Sequence, residues 1–323
     1  MKTEESLLKG YRYIFGPIPS RRLGLSLGID LLPSKTCTLN CVYCECGKTT
    51  HLTTTRAAYA DTDAVIGEIR AFLKTRPVLD YITFSGSGEP TLHEGVVEVI
   101  HFLKSDFPSY KVCVLTNGTL FDRPQVRQAV LEADLIIASI DAGNPETFNR
   151  INRPHKGLDF DAMIRGLIRL GEERKHALWI ECFIIPGVND SQREFSQIKK
   201  CIDSIRADKV QLNTLDRPGT EPWVQPATPN RLRELTDLIQ GAELISVTSH
   251  GAIGQPDQSD LHQRIFTTLS RRPSTLEDLS RSLGVEEPFL WQHICKLLDQ
   301  GLIEKIHMPR GEFLAVKRQE TGV

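Results

Sequence analysis

An α/β fold is predicted for this chain, a partial (βα)6 TIM-like barrel followed by a C-terminal winged-helix domain, and three observations carry the prediction. From about residue 24 to 250 short apolar runs alternate with helical patterns, the signature of βα repeats around a parallel sheet. Polar residues recur at alternate strand positions and so share one face of the sheet. A Gly/Pro-containing break at Gly251–Gln258 then precedes a pattern of three helices and a hairpin. The expected boundaries are residues 1–250 for the barrel with an N-terminal extension, 251–258 for a linker and 259–323 for the winged helix.

Six strands are expected, at Leu25–Leu31, Tyr81–Phe84, Lys111–Leu115, Leu135–Ile140, Leu178–Ile185 and Lys209–Asn213, with Glu243–Val247 a weaker seventh. Between them, apolar residues at helical spacing mark helices, as in Val65, Ile69 and Phe72 or Phe160, Met163, Ile164, Leu167 and Ile168. Ser191-x-x-Glu194 reads as a capping box ahead of Phe195, Ile198 and Ile202. The alternating polar pairs are Thr83 and Ser85, Ser139 and Asp141, and Gln211 and Asn213, with Glu181 alone between Trp179 and Phe183. Branched apolar residues fill a purely structural barrel interior, so these pairs indicate a polar lumen holding a ligand; the alternative is strand ends facing water. Past the linker, helices are expected at Leu261–Leu269, at Thr275–Leu283 behind the capping pair Ser274 and Glu277, and at Pro288–Gln300. A hairpin over Leu302–Val316 should reverse at Pro309-Arg310-Gly311.

The 323 residues carry 39 Lys and Arg against 41 Asp and Glu, and a net charge of -2 exerts no global pull on nucleic acid. No apolar run approaches the ~18 residues of a membrane span, and MKTEESLLKG does not read as a secretory signal, so a cytoplasmic protein without a membrane partner is expected. Eight cysteines in such a chain point to reduced thiols or metal ligands rather than disulfides. Cys37, Cys41, Cys44 and Cys46 are clustered, whereas Cys113, Cys182, Cys201 and Cys295 lie scattered in apolar or helical contexts.

Cys37, Cys41 and Cys44 have the spacing C-x3-C-x2-C directly after the first predicted strand. Three thiolates so close together suit three irons of a cubane and leave the fourth iron open. A structural zinc with Cys46 as fourth ligand is the competing reading, although its usual distant C-x2-C pairs are absent.

This pattern, C-x3-C-x-aromatic-C at the end of a first barrel strand, resembles the signature of the radical S-adenosylmethionine superfamily. The resemblance extends from about residue 16 to 248. It implies a [4Fe-4S] cluster on Cys37, Cys41 and Cys44, reductive cleavage of S-adenosyl-L-methionine to a 5'-deoxyadenosyl radical, and a one-electron donor such as flavodoxin or ferredoxin. It further implies that Tyr43 lies near the adenine and that Gly86, Gly88 and Glu89 receive the methionine amino group. Ser87 stands where the family often has glycine. Asn117, Ser139 and Asp141 would contact the sugar or carboxylate, and Leu212 and Asn213 the adenine.

Phe15–Gly24, Asn152–Gly157 and Gln211–Trp223 resemble most closely the bacterial Fe–S oxidoreductase group related to the tRNA wyosine-forming enzymes. Those enzymes carry a second cluster on upstream cysteines, and this sequence has no cysteine before Cys37, which speaks against pyruvate condensation on a guanine. Arg21, Arg22, Arg153, His155 and Arg217 are expected near the barrel mouth, where guanidinium groups suit an anionic substrate. Arg153, Arg217 and Glu181 are the candidate catalytic residues, Glu181 because a carboxylate among apolar neighbours needs a partner. Cys46 is read as a loop residue. From Gln258 onward nine Lys and Arg face nine Asp and Glu, a poor balance for a phosphate-binding helix. The expectation is an enzyme that modifies RNA or another large anionic substrate, with a protein-modifying enzyme and a DNA-binding redox regulator as alternatives. The winged helix, with Trp291 as a possible anchor or plain core residue, is expected to dock RNA or a protein rather than to serve radical generation.

Overall fold

The computed structural model describes residues 11–33, 35–245 and 261–317. In chain order its elements begin with β1 (Ile14–Ser20), β2 (Gly24–Ile29) and the short strands β3 (Thr36–Cys37) and β4 (His51–Leu52). There follow α1 (Thr62–Leu73), β5 (Tyr81–Phe84), α2 (Val96–Asp106), β6 (Lys111–Thr116), α3 (Pro124–Val130) and β7 (Leu135–Ser139). Next come α4 (Pro145–Asn152), α5 (Phe160–Glu173), β8 (Ala177–Phe183), α6 (Gln192–Ile205), β9 (Lys209–Asn213), α7 (Pro229–Thr236) and β10 (Ala242–Leu244). The C-terminal segment holds α8 (Leu261–Arg271), α9 (Leu276–Leu283), α10 (Glu287–Asp299), β11 (Ile303–Met308) and β12 (Gly311–Val316).

The main sheet has eight strands in the order β1-β2-β5-β6-β7-β8-β9-β10. β1 is antiparallel to β2 and every other pairing is parallel, as βα crossovers dictate. Seven strands thus run parallel where six and a weaker seventh were predicted, and β10 is formed by Ala242–Leu244. β1 was not predicted. Its Gly16, Pro17 and Pro19 disguise a strand, and they are tolerated because β1 is an edge whose register slips between Phe15 and Ile18. β2 stops at Ile29, two residues early, because Asp30 turns to accept hydrogen bonds from Ser87 N (3.0 Å) and Ser87 Oγ (2.7 Å). β8 stops at Phe183 because the Asn189 amide takes over the next backbone groups, donating to Phe183 O (2.7 Å) and accepting from Ile185 N (2.7 Å).

Two caps differ from expectation. Ser191 Oγ accepts from Glu194 N (3.2 Å), but the Glu194 carboxylate goes to Thr147 Oγ1 and to Asn144, the N-cap of α4, rather than back to Ser191. Thr275, not Ser274, caps α9 by accepting from Asp278 N, and Ser274 instead exchanges backbone hydrogen bonds with Leu314. The hairpin reverses over Pro309-Arg310, with Met308 opposite Gly311.

The large core lies between the outer face of the sheet and helices α1 to α7, around Ile82, Phe84, Val114, Leu167 and Phe195. The inner face has two zones. Leu23, Cys113, Leu135 and Ile137, joined by Trp179 and Tyr81, plug one end with apolar contacts. Toward the C-terminal strand ends the lining turns polar, with Ser26 bonded to Thr83 (2.6 Å) and with Glu181, Gln211 and Asn213. The C-terminal segment has its own apolar cluster, including Leu261, Ile265, Leu279, Leu290 and Ile294, with Trp291 packed at its edge under Lys305. The expected linker, 251–258, lies outside the described residues. Among the described residues no helix is long and apolar enough to cross a membrane.

Candidate active site at the thiol-bearing loop

The loop after β2 is fastened to its neighbours through backbone. Lys35 sits at φ 59°, donates its N–H to Ser87 O (3.0 Å), and accepts from Thr50 N and His51 N. Glu89 N in turn donates to Thr36 O, so the two loops lie back to back. Gly88 is required there, since a Cβ would sit 1.9 Å from Thr36 O. Gly86 is required for a second reason: its φ is 134°, and a Cβ would meet the Asp30 carboxylate at 2.3 Å.

Each of the three signature thiols has a side-chain nitrogen donor from a different part of the chain. Lys35 Nζ reaches Cys44 Sγ (3.2 Å), Asn117 Nδ2 reaches Cys37 Sγ (3.5 Å) and Asn152 Nδ2 reaches Cys41 Sγ (3.4 Å). Burial pushes Cys37 up to about 12 and raises Cys41 as well. Cys44 is drawn down to about 5, first by a hydrogen bond from the Cys46 thiol and then by the Lys35 ammonium. Cys46 itself donates to Gly86 O (3.5 Å). A pocket that supplies a donor to each sulfur suits a ligand set carrying negative charge, and this donor set fits a cluster held by three thiolates.

Two buried carboxylates flank the thiols, both raised chiefly by desolvation. Glu89 accepts from Thr91 N, Thr91 Oγ1, Thr116 Oγ1 and Asn117 N at 2.6 to 3.1 Å, which fixes the turn that aims Asn117. Asp141 accepts from Tyr43 O–H (2.5 Å), Asn152 Nδ2 (2.7 Å) and Phe183 N (2.9 Å). The Tyr43 ring stacks on Phe183 with centroids 3.9 Å apart. Asn152 Oδ1 and Gln211 Oε1 are buried without a hydrogen-bond partner among the described residues. Such acceptors are costly unless a ligand satisfies them.

Among the other predicted residues, Glu181 forms an ion pair with Arg22 and accepts from Asn213 Nδ2 (2.8 Å). Burial, and after it the neighbouring Arg21, lowers the Arg22 guanidinium to about 10. Ser139 lies level with Glu181 on the adjoining strand. Leu212 alternates to the outer face and packs in the large core, so only its backbone faces this side. Arg153 is at the rim in a left-handed conformation, paired with Glu221. Arg217 bridges the thiol loop, where Glu45 lies 3.6 Å from its Nε, and the C-terminal segment. It donates to Pro273 O (2.9 Å) and pairs with Asp278 (2.9 Å), both from the C-terminal segment. Three residues that sequence reasoning did not pick for the site, Asp30, Lys35 and Asn152, hold it together. Lys35 precedes the signature cysteines and Asn152 opens the Asn152–Gly157 block, which is the signal that was available; Asp30 offered none.

The radical SAM superfamily matches residues 31–196 of this chain, and the chain belongs to that superfamily. Members of that superfamily bind a [4Fe-4S] cluster and S-adenosylmethionine, so the protein is a radical SAM enzyme with those cofactors. The chain is 35% identical over 307 residues to a protein of Brachyspira hyodysenteriae named GTPase Obg, covering 93% of this chain and 44% of that one. It thus spans less than half of that relative. Gly47-Lys48-Thr49 lacks a glycine five residues earlier, where Val42 stands, and does not make a phosphate loop. A UPF0026 protein of Helicobacter pylori strain J99 is 35% identical over 293 residues, covering 90% of this chain and 93% of its own. The structure of TYW1 with a lysine-pyruvate adduct bound matches 75% of this chain and 79% of that chain at a TM-score of 0.52 and 18% identity, a likeness of fold.

Proposed function

We propose that Cys37, Cys41 and Cys44 hold the cluster, and that the enzyme uses S-adenosylmethionine to modify an anionic substrate in the cytoplasm, with RNA favoured. The bound cluster supplies the electron for reductive cleavage of S-adenosylmethionine. The residues around it do the rest. Lys35, Asn117 and Asn152 offset thiolate charge, and Gly86 and Gly88 let the Ser85–Glu89 loop lie against the thiol loop. Glu89 and Asp141 anchor the Asn117 turn and Tyr43, while Asn152 Oδ1 and Gln211 Oε1 offer acceptors to the methionine or nucleoside. Ser139, Asn213 and the Leu212 backbone line the remaining strand ends. Arg22 with Glu181, and Arg153 and Arg217 near the mouth, would orient the substrate. An electron donor of the flavodoxin or ferredoxin kind completes the cycle.

We read the domains that go with it as a partial barrel, described within residues 11–245, and a C-terminal winged helix, described within residues 261–317. The observation that carries the reading is that each of the three thiols receives a hydrogen bond from a side-chain nitrogen of its own, Lys35, Asn117 or Asn152. Anaerobic reconstitution tests it. About four irons and four sulfides should load per chain, and dithionite with S-adenosylmethionine should yield methionine and 5'-deoxyadenosine. Stoichiometric zinc, or loss of metal on Cys46→Ala alone, would overturn it.

A further inference from the structure

We propose that the cavity where α8, α9 and the β11–β12 hairpin meet β1 and the loop after β9 is a phosphate-binding subsite anchored by Arg272. Its occupant would be a phosphate group of the substrate, an assignment that rests on the anionic substrate proposed above.

The cavity, of about 40 Å³, is lined by Arg21, Arg217, Arg272, Arg281, Arg310 and Ser274, with Asp278 the one acidic residue among its lining groups. That volume holds about three waters or one compact tetrahedral anion. Four of the five guanidiniums have counter-charges. Asp216 takes Arg310 (2.6 Å) and Arg21 (3.7 Å), Asp278 takes Arg217 and Arg310 (2.9 Å each), and Glu277 takes Arg281. Arg272 has neither a side-chain hydrogen bond nor an ion pair among the described residues. Burial, and then repulsion by Arg217, lowers it to about 10, against weaker attraction from Glu45, Asp278 and Cys46. It therefore stays charged at neutral pH; its side chain is partly exposed rather than buried, so it remains reachable from the cavity, where it is the guanidinium best placed to meet an incoming anion.

The donors come from four separate stretches of chain: Arg21, Arg217, the Arg272–Arg281 stretch and Arg310. A tetrahedral oxyanion, with acceptors on every side, meets that geometry better than a planar carboxylate. The cavity also borders the thiol loop: Glu45, between Cys44 and Cys46, lies 3.6 Å from Arg217 Nε. A phosphate held there would tether its substrate beside that loop, and the C-terminal segment would be a wall of the substrate pocket rather than a remote arm.

The test is calorimetric titration of the full chain with inorganic phosphate in chloride buffer of constant ionic strength, with melting temperatures recorded alongside. Wild-type protein should bind phosphate saturably and melt higher in its presence. Arg272→Gln should weaken binding at least about tenfold, equivalent to about 1.4 kcal/mol. Arg272→Lys, which keeps the charge and loses the fork, should fall between, and carries the test should the glutamine variant not fold. Lys305→Gln, on the far side of Trp291, should bind as wild type does. No phosphate binding by the wild type, or equal binding by both Arg272 variants, would overturn the subsite. A short oligoribonucleotide titrated in parallel identifies the source: its affinity should fall with Arg272→Gln when a polymer supplies the phosphate, and stay unchanged when a small phosphorylated molecule does. Formation of 5'-deoxyadenosine by the wild type is measured separately, so that its failure would count against the radical reading and leave phosphate binding to stand or fall alone.

Discussion

The thiol loop and the arginine-lined cavity adjoin each other, yet their electrostatics are built in opposite ways. Around the thiols, acidic groups are buried and almost every one is matched by donors from the chain: Asp30 by Ser87, Glu89 by four groups, Asp141 by three. Around the cavity, cations outnumber the acids that reach them, and Arg272 is left over. Self-sufficient networks fix geometry and leave only the intended ligand atoms to be filled, whereas an unmatched network invites an outside counter-charge. The first suits a resident cofactor and the second a substrate that comes and goes.

The strongest way to break this contrast is to remove a thiol. Cys37→Ala, Cys41→Ala or Cys44→Ala should abolish iron loading, with iron and sulfide content as the readout, while Cys113→Ala should leave it intact. Cys113 sits in the apolar plug with its thiol raised by desolvation, which the Arg22 guanidinium offsets only in part.

Removing a positioning carboxylate should do less. Asp141→Ala frees both Tyr43 and Asn152, so the dissociation constant of S-adenosylmethionine should rise at least about tenfold, while iron content is retained. Equal affinity would mean that the Tyr43–Asp141–Asn152 network does not face the cofactor.

On the cavity side, Asp278→Ala strips the counter-charge from nearly buried Arg217 and from Arg310. Denaturant unfolding should register a loss of about 2 kcal/mol, the scale of a broken, mostly buried pair discounted for partial exposure. By the same logic, ending the chain near Gln255 would leave Arg217 and Asp216 without Asp278 and Arg310, although the thiol donors all lie upstream. Such a protein should still assemble its cluster but no longer bind inorganic phosphate.

The smallest effect is expected at the Arg127–Glu173 pair, far from both sites. Arg127 holds the Glu173 carboxyl below its ordinary value by direct hydrogen bonding. A depressed folded pKa means the contribution is fully present above the unfolded carboxylate value and lost as pH falls through the folded one. Glu173→Gln should therefore lower stability by under about 1 kcal/mol at pH 7, and the difference in melting temperature should shrink as pH falls below the ordinary carboxylate range. A difference that does not change with pH would point to packing instead.

Local chemistry made much of this molecule legible from its sequence. Periodicity located the parallel strands and most helices, because a strand buried against helices and a helix with one wet face each repeat on their own short period. The C-x3-C-x2-C spacing located the thiols, because ligands of one cluster need to be near one another along a loop. Edge strand β1 escaped because glycine and proline obscure its pattern, and its pairing with β2 exists only in the assembled sheet. Asn152 escaped for the same kind of reason: its amide meets Cys41, 111 positions away in the chain, only after β2, β5, β6 and β7 have aligned. Arg217 looked like a catalytic residue at a strand end, and what redirects it is Asp278, carried by a helix with no sequence link to the barrel. The sequence by itself determined which groups the protein owns and the period on which each element repeats. Which charges meet, and that Arg272 has no side-chain ion pair among the described residues, was decided only by tertiary packing, because Coulomb energy and hydrogen bonding depend on separation in space and not along the chain.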